Sequence, residues 1–444
     1  MPGVWETDAE WRRLDGELRA WHAHRVRADV LGQHRSQLAA VYALLHRILT
    51  DLREPIASLT GASAQVGEQC RVHDRRLVWL RRLWDFFRER FDQRDDPTLA
   101  PLLRGADEVV WSCHREPFAA LETPGTASSE PPPLPYVEPG TTPEVFPHGL
   151  VPGSLRRDVD APFLRRALEE LPFAVVRVPA TCVTAPWWLV HLGHEVGHVV
   201  DGRLCGHPAW AELIDRLQLA DASAELWLQW SSETFADAYA VLMHGPWAVW
   251  ALAMAESQAD EAMTTRRDNY PPPAARLLVM THACRLLDAT TDELTEVEPH
   301  WQALVARDAT LVSLVDDGRR VVKAMLDAGV RLMPWASLTA WEAPPWTRKA
   351  LGTWVSTMSG RPKSEPARPR RAWARHLVAA SVLRRKDGNA RADFDGAAIA
   401  ADLLAWLPLV REPGSRAMDG VSPDRVRAQG AALARRIMEV EALP

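Results

Sequence analysis

The sequence predicts an α+β fold that is predominantly helical, with a small sheet in a central region and helical regions on either side. Three observations predict it. Apolar residues such as Leu38, Val41, Leu45 and Ile48 recur at three- and four-residue intervals, and the same spacing returns in most of the chain; this is the signature of amphipathic helices. One short run, residues 173–178 (FAVVRV), has the β-branched content of a strand. Between these kinds of segment lies a stretch too rich in proline for regular helix or central strand.

Residues 1–121 read as a helical amino-terminal domain, with helical stretches over 11–52 and 71–91 that predict a bundle or hairpin. Its arginines, among them Arg75, Arg76, Arg81 and Arg82, alternate with Asp and Glu. That alternation describes a solvated helix face better than a nucleic-acid footprint. Residues 122–155 hold Pro124, Pro131, Pro132, Pro133, Pro135, Pro139, Pro143, Pro147 and Pro152, and form a linker or extended arm. A tether between domains is the plainer reading; an arm lying across the site described below is the other. Residues 156–335 form the central domain: a helix over 156–171, the strand at 173–178, and later helices over 277–287 and 301–332. Residues 336–444 form a helical carboxy-terminal region, with a basic break at 360–371 and helices over 372–385, 393–406 and 423–440.

The chemistry concentrates in residues 184–202, TAPWWLVHLGHEVGHVVDG. Pro186 suits a first helical turn and Gly202 a helix end, so one helix of about four turns is expected. His194-Glu195-Val196-Gly197-His198 is an H-E-x-x-H arrangement. Its two histidines project from one face one turn apart and can reach one metal ion. Glu195 beside them can take a proton from a water polarised by that ion. His191, Asp201 and the motif draw a polar stripe on an otherwise apolar helix, and burying such a stripe is expensive unless a cation binds it. With 15 His in 444 residues, the motif arises by accident roughly once in a few tens of chains of this composition. A second element is therefore needed.

Zinc held by two such histidines takes a third protein ligand and keeps one position open. Glu233 supplies it, within an apolar helical stretch over 224–244 that places Gln229, Glu233, Asp237 and His244 near one face. Asp237 can accept the ring N–H of a zinc-bound histidine and fix its tautomer.

His194, Glu195 and His198 followed by Glu233 and Asp237 resemble the pattern of the gluzincin zinc metallopeptidases. The E-T-F-A-D form at 233–237 is similar to the CAAX-processing and heat-shock membrane metalloproteases. Those carry a downstream His-Pro-x-x-x-x-Arg segment; here Tyr270 stands in the place of that His, ahead of Pro271 and Arg276. HEVGHVVDG and ETFADAYAVLM also resemble the catalytic domain of anthrax lethal factor. The resemblance covers about residues 173–277, and implies a zincin-like domain, one Zn²⁺ per chain and hydrolysis of a protein or peptide substrate. Tyr270 is then an oxyanion donor or a turn residue. Arg276 binds substrate or makes an ion pair, and His207, His244 and His282 are alternative donors. The strand before the metal helix suits a substrate held extended against a sheet edge.

At 444 residues two or three domains are expected, and 47% hydrophobic with 25% charged residues is a globular composition. A net charge of -6 argues against nucleic acid as a partner. Cys70, Cys113, Cys182, Cys205 and Cys284 are scattered, which suggests a reducing, cytoplasmic setting; Cys182 reads as a buried small hydrophobe or as a thiolate regulating the metal. The amino terminus has no secretory core, and the most apolar run, 238–255, is broken by Gly245 and Pro246, so no membrane span is expected. The helical flanks could dock a regulatory protein. Two alternatives to the peptidase stay open: a non-catalytic metal-binding scaffold or sensor, and a zinc hydrolase of non-peptide amides.

Overall fold

In the computed structural model the chain opens with three mutually packed helices, α1 (Val4–Arg27), α2 (Arg35–Ala57) and α3 (Ala64–Asp92). Leu38, Val41, Leu45 and Ile48 meet Leu77, Leu80, Phe87 and Phe91 in their core, so the helical periodicity did place the buried face. Ser63 caps α3 by accepting from the Val66 N–H at 3.2 Å. The arginines are largely spent within the bundle: Arg81 pairs with Glu17 at 2.6 Å, and Arg25 with Asp92 and Asp95 at 2.5 and 2.6 Å. Arg75 is exposed, whereas Arg76 is buried beside His73, off the solvated face expected of it.

The structure describes residues 3–27, 34–119, 132–140, 143–146, 173–202, 206–289, 291–327, 348–358, 374–389, 395–410 and the isolated positions 428, 431 and 435. The helix expected over 156–171, the break at 360–371, Cys205 and all but those isolated positions of 423–440 lie outside the described residues.

The proline-rich arm is part of the sheet. It supplies β1 (Leu134–Glu138) and β2 (Glu144–Phe146), which flank β3 (Val175–Pro179) in the order β1-β3-β2. β1 runs parallel to β3 and β2 antiparallel. This corrects the tether reading. Pro135 is tolerated because β1 lies at the edge: Leu134 N–H pairs inward with Ala174 O at 2.9 Å, while Pro135 faces outward and its carbonyl accepts from Arg94 at 3.1 Å. Side chains alternate across the sheet with period two. Leu134, Tyr136, Phe173 and Val175 face the bundle; Val137, Val145, Ala174, Val176 and Val178 face a second, larger core.

That second core is helical. It receives α4 (Ala100–Ala119) and, after a 3-10 turn at Pro186–His191, α5 (Leu192–Val200), α6 (His207–Leu217), α7 (Asp221–Gln229), α8 (Ser231–His244) and α9 (Pro246–Ala255). Beyond α10 (Asp260–Thr264), α11 (Pro273–Leu286) packs on α8, followed by α12 (Asp292–Val305) and α13 (Ala309–Asp327). The carboxy-terminal α14 (Arg348–Met358), α15 (Ala374–Asn389) and α16 (Gly396–Trp406) join the same core, with α15 against α4 and the 3-10 turn. The fold is thus predominantly helical around a three-stranded sheet. No helix among the described residues is long and apolar enough to cross a membrane.

Candidate metal centre

The single four-turn helix expected over 184–202 is two pieces. Residues 186–191 wind as a 3-10 helix and only Leu192–Val200 are α-helical. Three residues per turn instead of 3.6 rotate His191 out of the stripe. Its ring stacks on Trp188 with centroids 5.6 Å apart, and burial, reinforced by nearby His194 and Arg276, pushes it down to about 4, so it is neutral at pH 7. Asp201 also leaves the stripe: its Oδ1 accepts from the Trp210 indole at 2.7 Å and from Gly206 N–H at 3.3 Å, tying α5 to the start of α6.

The second stretch is broken too. Trp230 separates α7 from α8, and Gln229, on the far side of the break, donates to the Asp268 carbonyl at 2.7 Å. Glu233 and Asp237 stay together on α8. Glycine sets how closely α5 and α8 pack: a Cβ at Gly197 would lie 2.8 Å from Ala236 Cα, and one at Gly193 only 2.6 Å from His244 Cδ2. Any side chain there would force the helices apart.

At this close approach three donor atoms converge. His194 Nε2 and His198 Nε2 are 3.1 Å apart, and Glu233 Oε2 lies 3.2 Å from the first and 3.4 Å from the second. Ligands bound tetrahedrally at about 2.0–2.1 Å sit about 3.3 Å from one another. The donor set therefore fits zinc. Glu233 Oε2 is buried and, apart from the two imidazole nitrogens that face it, has no polar partner among the described residues, the condition expected of an atom whose partner is an ion. Among the described residues this is the one such cluster of three His, Cys, Asp or Glu.

The surroundings fix the two imidazoles and add negative charge beside them. Asp237 Oδ1 lies 2.9 Å from His194 Nδ1, leaving Nε2 to face Glu233. Arg276 grips the same carboxylate with Nε and Nη2 at 2.6 and 2.8 Å, and this fork holds Asp237 below the usual carboxylate range despite its burial. His198 Nδ1 lies 3.2 Å from Ser232 Oγ; the sequence reading missed Ser232, whose one signal is its place one residue before Glu233. Glu195, Glu233 and Asp237 bring three negative charges against the one of Arg276. In the metal-free state His194 takes up part of the excess. Burial lowers it, but the hydrogen bonds and charges of Asp237 and Glu233 prevail and raise it to about 10. Glu233 is correspondingly held well below the ordinary range, its burial outweighed by the two imidazoles.

Other expectations divide. The Arg276 guanidinium lies 4.6 Å from the Tyr270 ring centroid, and burial together with the negative charge of Glu233 pushes the Tyr270 phenol well up. Tyr270 is thus beside the carboxylates and keeps its proton. Arg276 is a buried positioning group on Asp237, the ion-pair reading of it. His244 is fully buried behind Gly193, with Cys113 Sγ at 3.8 Å and the Arg375 carbonyl at 3.4 Å, and burial pushes it down to about 3. It cannot serve as a substrate-side donor. His207 is exposed at the start of α6. Cys182 is buried, which raises its thiol to about 12, so the small-hydrophobe account holds and the thiolate regulator does not. Glu195 is buried beside its histidines, and its Oε2 accepts from the Val145 N–H of β2 at 2.7 Å.

The chain matches no protein-family model, and neither the curated proteins nor the solved structures contain a significant match to it.

Proposed function

We propose that the protein is a zinc metallopeptidase of the cytoplasm, its central region a zincin-like catalytic domain acting on a protein or peptide substrate. One observation carries the reading: His194, His198 and Glu233, from two helices held together by glycine, converge at tetrahedral-ligand spacing on an otherwise unpartnered Glu233 oxygen. Buried thiols at Cys70, Cys113, Cys182 and Cys284, none of them in a disulfide, support the reducing compartment.

His194, His198 and Glu233 would hold the ion, and Asp237 and Ser232 would fix the two rings. Bound there, zinc supplies a Lewis acid and lowers the pKa of a water toward neutrality. Glu195 accepts the proton of the attacking water, at the Oε1 oxygen left over from its bond to Val145, and returns it to the leaving nitrogen. Tyr270, protonated, donates to the developing oxyanion. The strand before the metal helix, β3, is paired on both sides and offers no edge, so the substrate backbone lies instead beside β2, the strand that packs on α5.

Zinc analysis and peptide-library cleavage of the parent and of Glu195→Gln test this. The parent is expected to carry one zinc and cleave; the variant should keep the zinc and lose about 10²- to 10⁴-fold in kcat. Equal cleavage by both sinks the mechanism. Zinc without cleavage of any peptide favours the scaffold, and cleavage of small amides alone favours the non-peptide hydrolase.

A further inference from the structure

The proline-rich arm reaches the site through one main-chain group. In an antiparallel pair a residue's N–H and C=O point to the same side of its strand. Val145 pairs across from Val176, yet its N–H goes to Glu195 Oε2 at 2.7 Å, so both its backbone groups face α5. Its neighbours toward that side offer no substitute: Glu144 and Phe146 face β3 by the same alternation, and Pro143 has no N–H. The donor is also anchored by its neighbours' contacts. The Val145 side chain is buried in the larger core, and Glu144 is tied to Arg177 on β3 at 2.7 Å.

Glu195 needs such a partner. It is 8% exposed and has three side-chain torsions to fix, while no other hydrogen bond to its carboxylate is made among the described residues. A single amide on a strand paired to β3 fixes one oxygen and leaves the other for chemistry.

We propose that the Val145 N–H, presented by strand β2 of the arm, is the positioning group for Glu195, so that a segment far from the H-E-x-x-H motif completes the site. This rests on the metallopeptidase reading. It implies that the arm is a working part of the active site rather than a cover over it.

The clean perturbation replaces the Val145 amide by an ester, using the α-hydroxy analogue of valine, which removes the N–H and keeps the side chain. At an unchanged zinc content of one per chain, kcat is expected to fall about 10-fold or more, in the range of lost outer-shell partners, with KM nearly constant. Unchanged kcat overturns the proposal. So does a parallel loss of zinc, because the strand would then be supporting the metal ligands instead. An arm independent of turnover measures hydrogen exchange at the Val145 amide in Glu195→Ala: exchange should accelerate there and stay constant at the β1 and β3 amides. Constant exchange at Val145 overturns the contact itself. A parent that neither binds zinc nor cleaves defeats the functional reading, and the exchange result still decides separately whether β2 holds Glu195.

Discussion

Two buried clusters in this protein share the same three residue types and differ in everything that matters for function. In the first, at the junction of the amino-terminal bundle and β1, Asp107 lies between His34 Nε2 at 2.9 Å and Arg94 Nη2 at 2.8 Å. In the second, Asp237 lies between His194 Nδ1 at 2.9 Å and the fork of Arg276. The first cluster is closed. One carboxylate meets one guanidinium, His34 Nδ1 is taken by the Gln37 side chain, and Arg94 continues to the carbonyls of Arg90 and Pro135. Burial would raise Asp107, but Arg94 and His34 hold it down at about 2. The second cluster is open. The far nitrogen of His194 faces His198 and Glu233, and two further carboxylates leave negative charge uncancelled. The His34 group is therefore a strut with its charges balanced, whereas around His194 acceptors converge in excess of donors, the imbalance on which the proposed metal site rests.

Breaking the strut should produce the largest effect on folding. Asp107→Ala strands a buried guanidinium and is expected to cost about 3–5 kcal/mol in urea unfolding, with zinc still at one per chain. Loss of zinc in that variant would mean that the two clusters are not separable. Glu233→Ala is the converse. Zinc affinity should drop by more than about 100-fold, beyond what outer-shell losses produce, while the metal-free protein loses less stability than Asp107→Ala does, since Asp237 still pairs with His194 and Arg276 keeps its carboxylate. Unfolding of metal-free Glu233→Ala as easily as Asp107→Ala would make Glu233 a strut as well.

What the sequence disclosed follows the range of the interactions involved. His194, Glu195, His198, Glu233 and Asp237 were legible because each pair or triple sits on one helix, where spacing alone fixes the face. The role of the arm was hidden: proline content argued against strand, and the compensating facts, an edge position and an Arg94 donor for Pro135, are tertiary. Asp201 and His244 were misplaced for a related reason. Each lies at helical spacing from a candidate ligand on its own helix, but Asp201, just past the last residue of α5, turns to Trp210, and His244, buried at the end of α8, turns to Cys113. Gly193 and Gly197 carried a signal that went unread, two glycines one turn apart inside a helix that also holds the histidines. Gly197→Ala tests its meaning. The methyl would meet Ala236 Cα at 2.8 Å, so a loss of about 1–3 kcal/mol is expected from overpacking, together with weaker zinc binding. A strut such as the His34 cluster should be indifferent to it.

The smallest effect separates the clusters by their protons. His194 in the metal-free protein is raised to about 10, so it is charged at pH 7 and an ion must displace its proton. A raised folded pKa means that the stabilisation from this charge is full below the ordinary histidine value of about 6.5 and disappears as pH rises through about 10. Two consequences run in opposite directions between those limits. The metal-free protein loses stability with rising pH, and zinc affinity gains about tenfold per pH unit as the competing proton leaves. Calorimetric titration of zinc at pH 7.5 in buffers of different ionisation heat should therefore register at least one proton released per ion, reduced in Asp237→Asn, which withdraws the carboxylate that holds the charge. Asp107 behaves differently: its pKa is depressed, so its contribution is present above the unfolded value of about 4 and is lost only as pH falls through about 2. A zinc titration that releases no proton would place the neutralising charge elsewhere, and the second cluster would then be as closed as the first.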